Sequence, residues 1–212
     1  EKTIFAVPSS SWYSSLVNDL KIMSWDLDFV VVANIVKFNK PNKILELGAG
    51  DAAWCIGINK ILNNVNIIPD ITAVENFHFI TAIPGYGLGW SKSKKLLEQK
   101  IEHICNRLKC KHNIKVLDVD ALLIPKKLEH ERFDLIRLDC LDVVKDIESI
   151  LRWAHSSLTD DGLLYIDDIK PSITIGRFLV AMDLVREKLF KIVWIGDKEA
   201  IFCKWNSTKN FV

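Results

Sequence analysis

The stretch Lys43-Ile44-Leu45-Glu46-Leu47-Gly48-Ala49-Gly50-Asp51-Ala52-Ala53 constrains the fold more than any other part of the chain. A short, largely apolar run of strand length ends at Gly48 and Gly50, and the period then becomes that of a helix running from Asp51 to about Leu62. A strand that passes through glycines straight into a helix opens a βαβ unit, and such units build parallel sheets covered by helices on both faces. The rest of the chain repeats this alternation. Asp70–Val74, Ile114–Leu117, Phe133–Leu138 and Gly162–Ile166 read as strands, each apolar on both faces, as doubly covered strands must be. Ser24 to about Lys37, with Asp26 and Asp28 in its first turn, reads as a helix, as do Ser91–Leu108, Asp142–Ser157 and Thr174–Lys188. Phe190–Ile195 and Ala200–Trp205 are separated only by a turn at Gly196-Asp197-Lys198, a connection too short for anything but an antiparallel hairpin. The expectation is a single α/β domain over residues 1–212, with a Rossmann-like, doubly wound, mostly parallel seven-stranded sheet whose last strand is reversed. Residues 1–23 are expected to add an N-terminal helical extension or lid.

Composition excludes several classes of function. The 28 Lys+Arg against 27 Asp+Glu leave a formal charge of +1, and no block of like charge is present to grip nucleic acid through its phosphates, so a nucleic-acid partner is not expected. The longest apolar run, Phe29–Val36, is interrupted by Asn34 and falls far short of the roughly 20 residues that cross a bilayer, so no membrane partner is expected either. Five cysteines, an odd number spread widely through a chain long enough to build a core, point to a reducing, cytoplasmic setting. The opening segment, EKTIFAVPSSSWYSS, has neither the basic leader nor the apolar core of a secretory signal.

Ligands of open α/β sheets sit beyond the carboxyl ends of the strands, where the strand order reverses. Gly48, Ala49 and Gly50 lie there after the first strand, with Ala53 as a third small residue for close helix packing, although a tight turn alone also favours glycine. Glu75 ends the second strand, 25 residues after Gly50. A carboxylate there accepts the hydroxyl hydrogens of an adenosine ribose, the alternative being an acid in a solvated loop. Charge separates the nucleoside cofactors. A dinucleotide brings an anionic pyrophosphate to the glycine turn, an awkward neighbour for Glu46 unless that side chain points away. S-adenosylmethionine brings an ammonium and a sulfonium, which acids near the turn attract.

These features together resemble class I S-adenosylmethionine-dependent methyltransferases over roughly Ser24 to Trp205. Glu46-Leu47-Gly48-Ala49-Gly50 resembles the family's first motif, Glu75 its ribose acid, and Val119-Asp120-Ala121 the segment along the adenine. Asp134–Asp139 (DLIRLD) resembles the fourth-strand motif, Leu158–Gly162 the turn before strand five, and the terminal hairpin the reversed seventh strand. Asp139 is thereby implied as both a cofactor contact and a catalytic residue.

Leu163–Asp168 (LLYIDD), taken with Leu138-Asp139, is similar to the metal-dependent small-molecule O-methyltransferases of catechol and macrolide-sugar type. That likeness implies Asp139, Asp167 and Asp168 as ligands of Mg²⁺. Three carboxylates at adjacent strand ends repel one another unless a hard cation or protons neutralise them, whereas a helix cap and solvated acids are the plainer alternative. The sequence departs from that group at Cys140-Leu141-Asp142-Val143-Val144-Lys145, where a histidine or lysine base directly after the acid is missing, leaving Asp142, Lys145 and Lys170 as substitutes. The implied reaction is methyl transfer to a hydroxyl of a small molecule or sugar, with Mg²⁺ assistance optional. An NAD-dependent oxidoreductase and a non-catalytic methyltransferase-like binding module remain as alternatives.

Other candidates are weaker. His103, Cys105, Cys110 and His112 have the residue types of a zinc site, but on a helix through Leu108 the first two face different sides. Pro84–Trp90 (PGYGLGW) reads equally as a lid and as a connector, and Trp12 and Tyr13 equally as a pocket cover and as helix packing. Trp54, Trp153 and Trp194 sit in apolar periodic stretches and read as core.

Overall fold

The apolar strands must be covered on both faces, and the chain achieves this in three layers. The computed structural model describes residues 27–78, 91–141, 143–169 and 175–208. In chain order these are α1 (Leu27–Asn39), β1 (Lys43–Leu47), α2 (Ala53–Asn63), β2 (Asp70–Glu75), α3 (Lys94–Arg107), β3 (Asn113–Asp118), a 3-10 turn (Ala121–Leu123) leading into α4 (Ile124–Lys127), β4 (Phe133–Leu138), α5 (Val144–Ser157), β5 (Leu158–Ile166), α6 (Ile175–Arg186), β6 (Phe190–Ile195) and β7 (Ala200–Lys204). The sheet order is β3-β2-β1-β4-β5-β7-β6. All pairings from β3 to β5 are parallel, and β7 runs antiparallel to both of its neighbours. The expected seven-stranded, mostly parallel sheet with a reversed last strand is therefore the fold. A dinucleotide-binding sheet continues past the fifth strand with a sixth in the order 3-2-1-4-5-6. Here the antiparallel β7 takes that place, which distinguishes this sheet from the dinucleotide type.

Alternation along the strands sends side chains to two cores. Ile44, Leu135 and Leu163 meet Val32, Ile56 and Ile101 of α1, α2 and α3 on one face, while Leu45, Ile136, Leu164 and Phe202 meet Ile147, Leu151 and Leu184 of α5 and α6 on the other. The amino-terminal edge of the sheet is tied by Asp134, whose carboxylate accepts the backbone N–H groups of Asn42 and Lys43 at 2.9 and 3.0 Å and the Thr159 hydroxyl at 3.1 Å. The first acid of DLIRLD thus braces strands rather than facing a ligand. No helix among the described residues is long and apolar enough to cross a membrane.

Boundaries differ from expectation where local bonding overrides periodicity. The fifth strand begins at Leu158, because Leu158 pairs with Phe133 before a register shift, so the expected turn 158–162 is extended chain. Gly162 belongs to that irregularity: a Cβ on it would lie 3.0 Å from the Phe133 carbonyl oxygen. The helix expected from Ser91 starts at Lys94, since Ser93 is the cap and its hydroxyl accepts the Leu96 N–H. The helix expected from Asp51 begins at Ala53, and the Asp51 carboxylate accepts the Ala53 N–H at 3.2 Å. The short helical segment 121–127 has too few residues for a periodic signal and was not anticipated. Ser24, Asp26, Trp12, Tyr13, the segment 84–90, Asp142 and Lys170 lie outside the described residues.

Candidate active site

Strand order reverses between β1 and β4, so the carboxyl ends of these strands border the crevice where a ligand of this sheet type belongs. The chain is tightest there. Gly48 has φ +86°, and a Cβ on it would stand 2.5 Å from the Asp139 carbonyl oxygen and 2.8 Å from the Cys140 Cβ. Only glycine lets the exits of β1 and β4 approach this closely. The N–H groups of Gly48 and Ala49 both donate to the Val74 carbonyl at 3.0 Å, folding the turn toward β2. Gly50, at φ +56°, donates its N–H to Glu75 Oε2 at 2.5 Å, and the Asn76 N–H donates to Glu75 Oε1 at 2.8 Å. Asn76 Nδ2 in turn donates to Asp120 Oδ2 at 3.1 Å, while Asp120 Oδ1 accepts the Leu122 N–H at 2.8 Å.

The structure therefore links Gly50, Glu75 and Asp120, with Ala121 next in chain, along the ends of β1, β2 and β3. Each Glu75 oxygen accepts one N–H, and each keeps a further acceptor position for a hydroxyl. Burial raises the Glu75 pKa, and the two backbone N–H groups oppose that rise.

Glu46 is placed differently from expectation. Register aligns Ala73, Glu46, Arg137 and Tyr165 in a row across β2, β1, β4 and β5. All point to the face covered by α2, so a buried arginine stands directly beside a buried glutamate. Arg137 Nη1 donates to Glu46 Oε1, and Nη2 donates to Asp167 Oδ2 and lies 2.9 Å from Asp139 Oδ2. The guanidinium carbon is 5.2 Å from the Trp54 ring centroid and 5.4 Å from that of Tyr165, and the two rings stack at 5.7 Å. The Cys55 thiol donates to the other Glu46 oxygen. Glu46 thus points away from the crevice into this cluster, and Trp54 does more than fill the core. A second arginine, Arg177 of α6, is also buried; its Nε donates to the Leu141 carbonyl at 2.9 Å, and its Nη1 to the Asp167 carbonyl at 3.2 Å and lies 3.7 Å from Asp139 Oδ1.

Asp139 and Asp167 meet at Arg137 Nη2, and Asp139 has 28 % of its side chain exposed against 1 % for Glu46. Asp139 is consequently the most exposed of the three acids that meet Arg137. Burial, with the neighbouring carboxylates of Asp167 and Glu46, holds its pKa above the usual carboxylate range against the pull of Arg137 and Arg177. Asp168, at φ +54°, is exposed and its N–H donates to Asp167 Oδ1 at 2.8 Å. Lys145 is exposed in the first turn of α5. Mg²⁺ prefers octahedral oxygen coordination, whereas Glu46, Asp139 and Asp167 already turn oxygens to a guanidinium. Among the described residues, no three His, Cys, Asp or Glu side chains are grouped to hold a metal ion. Of the zinc-like quartet, His103 is exposed, His112 Nε2 bonds Glu102 at 2.9 Å, and Cys105 and Cys110 are buried together, the Cys110 thiol donating to the Cys105 carbonyl at 3.7 Å.

The sequence reading missed both arginines. Arg137 was visible as the one basic residue inside a strand assigned to a doubly covered position, and a buried charge must be paired. Glu46 sits in the same situation one strand away. The position of Arg177 in an amphipathic helix carried no comparable signal.

The cluster makes stability depend on pH. Burial lifts Glu46 from 4.5 to about 7, even with Arg137 opposing the shift. A carboxyl whose folded pKa is raised binds more protons folded than unfolded. Its contribution is full below pH 4.5 and is lost as pH climbs through about 7. Thermal unfolding without ligand is expected to show a lower Tm at about pH 8.5 than at about pH 5.5, and Glu46→Gln is expected to flatten this slope. A Tm that climbs across this interval in the wild type would contradict the assignment.

No family model matches the sequence, and no curated protein does. Solved structures do match. The methyltransferase PaMTH1 of Podospora anserina, bound to S-adenosylhomocysteine, aligns with TM-score 0.61 at 13% identity over 96% of this chain and 99% of that one. TomG, an O-methyltransferase of tomaymycin synthesis from Streptomyces achromogenes in complex with S-adenosylmethionine, aligns with TM-score 0.58 at 12% identity over 92% and 88%. CalS11, a TDP-rhamnose 3′-O-methyltransferase of calicheamicin biosynthesis, aligns with TM-score 0.56 at 12% identity over 96% and 97%. With the strand order and the reversed β7, these likenesses establish that the chain has the α/β fold of class I S-adenosylmethionine-dependent methyltransferases.

Proposed function

We propose that this protein is an S-adenosylmethionine-dependent O-methyltransferase acting on a small-molecule or sugar hydroxyl. The observation that carries the reading is the glycine turn at the switch point with Glu75 folded back onto the Gly50 N–H. This arrangement presents a carboxylate with open acceptor positions beside a backbone too close-packed for any side chain, which suits a ribose next to an amino-acid moiety. The similar structures named for sugar and natural-product O-methylation favour an acceptor of that kind.

The donor supplies a methyl group on a sulfonium, which leaves as a neutral thioether. The protein has to align the acceptor oxygen and remove its proton. Asp139, partly exposed and held on one side by Arg137 and on the other by Arg177, is assigned as the base that receives the hydroxyl proton while the new C–O bond forms and the C–S bond breaks. Asp142, which lies outside the described residues, and Lys145, exposed in the first turn of α5, stay as further candidates. A cytoplasmic setting agrees with five free thiols, four of them buried.

Calorimetry with S-adenosylhomocysteine tests the reading. Saturable binding with no response to NAD is the expected result, and Glu75→Ala is expected to weaken it by about 10- to 100-fold, because hydrogen bonds to a charged group contribute about 1.5–3 kcal/mol. NAD binding without S-adenosylhomocysteine binding would sink the proposal in favour of an oxidoreductase. Cofactor binding with no turnover on hydroxylated acceptors would instead indicate a binding module. Asp139→Asn is expected to abolish turnover while preserving most of the affinity.

A further inference from the structure

The acids at the ends of β4 and β5 pose a problem of charge that the fold has to solve. Asp139 and Asp167 both approach one nitrogen, Arg137 Nη2, and Glu46 approaches the other terminal nitrogen. The arginine comes from within β4 itself, two residues before Asp139, so its place is set by sheet register rather than by a mobile loop. Trp54 and Tyr165 flank it, and its side chain is 8 % exposed. A guanidinium never gives up its proton under ordinary conditions, and its two terminal nitrogens match several carboxylates at fixed angles. It is therefore a permanent cation already bonded to Asp139 and Asp167, two of the three acids implied as ligands of a divalent ion.

We infer that Arg137 is the built-in counter-ion of this site, standing in the place a divalent metal would take, and that it positions Asp139 for catalysis without a metal. The inference deepens the methyltransferase reading and rests on it only for the role of Asp139. Arg177 supports the same acid from α6 through its 3.7 Å approach to Oδ1 and its bond to the Asp167 carbonyl. The functional consequence is that hydroxyl deprotonation falls to a carboxylate oriented by arginine.

Binding of Mn²⁺, followed by loss of the free-ion signal in electron paramagnetic resonance, tests this without any turnover. Wild-type protein is expected to leave the free Mn²⁺ signal unchanged into the millimolar range. Arg137→Met removes the cation and leaves three carboxyls around its former place, so this variant is expected to take up Mn²⁺ and to gain several degrees in Tm on its addition. Arg137→Lys keeps a cation and is expected to bind no Mn²⁺. Saturable Mn²⁺ binding to the wild type that disappears in Asp167→Asn overturns the inference, and so does a folded Arg137→Met variant indifferent to Mn²⁺. Should that variant not be recovered folded, the wild-type titration decides in the same two directions. Calorimetry with S-adenosylhomocysteine on the same wild-type sample separates the two levels of the argument. Cofactor binding together with Mn²⁺ binding defeats the arginine inference alone, and absence of cofactor binding defeats the methyltransferase reading alone.

Discussion

Gly48→Ala is expected to reduce affinity for S-adenosylhomocysteine by roughly 100-fold and to lower the stability of the protein. Two effects add at this position. The residue occupies φ +86°, a left-handed conformation that penalises an L side chain by about 1–2 kcal/mol. The new Cβ would also stand 2.5 Å from the Asp139 carbonyl oxygen, a backbone atom that can retreat only by moving the exit of β4 away from β1. That movement displaces the whole arrangement at the crevice, because Asp139 hangs on the same peptide and its N–H donates to the Leu47 carbonyl at 2.9 Å. The same chemical change elsewhere provides a control. A Cβ on Gly176 in α6 would meet its nearest neighbour, Val144 Cγ2, at 3.5 Å, an ordinary contact, so Gly176→Ala is expected to leave binding unchanged and to stabilise the helix slightly. Wild-type affinity in Gly48→Ala would show that the turn does not form the ligand's floor.

The architecture was legible because it rests on strong local signals. The β1 turn announces itself through Gly48 and Gly50, and the 196–198 turn forces the hairpin that contains the reversed β7. What escaped was register, which decides who stands beside whom across the sheet and which no local pattern encodes. Glu46 was read as an acid bordering the turn, yet alternation along KILEL sends it to the α2 face, opposite Arg137 of DLIRLD. Both residues were in view as charges within buried strands. Their partnership appears only once β1 and β4 are known to be adjacent and in that register. The acids of β4 and β5 are a similar case: their clustering followed from the strand ends, but the cation among them came from the strand interior. Glu75 was more accessible to sequence reading, because its proposed role depends on the strand's end rather than on a neighbour's register.

Arg137→Met is expected to lower stability by about 3–5 kcal/mol, the range for removing one partner of a buried ion pair. In a domain of this size each kcal/mol corresponds to about 2–4 °C, so the Tm should fall by roughly 10 °C. The loss arises less from the attraction removed than from the carboxylates left behind. Glu46 is 1 % exposed and would keep only the Cys55 thiol, while Asp139 and Asp167 would lose their common donor. Hence the damage should depend on whether those acids are ionised. Glu46→Gln alone is expected to change stability by less than about 1 kcal/mol, because the amide oxygen still accepts from Arg137 and no charge has to be buried. Combined with Arg137→Met, it is expected to restore part of the lost stability, since one of the uncompensated acids is gone. Acid should do the same: the deficit of Arg137→Met relative to wild type is expected to shrink as pH is lowered from about 8 to about 5, where the orphaned carboxyls take up protons at lower cost than they remain charged. Denaturant melts of the four proteins at both pH values read this directly. If the Arg137→Met deficit were the same with Glu46 or Gln at position 46, and the same at both pH values, the arginine would be acting through packing against Trp54 and Tyr165, and the charge-balancing account of this crevice would fail with it.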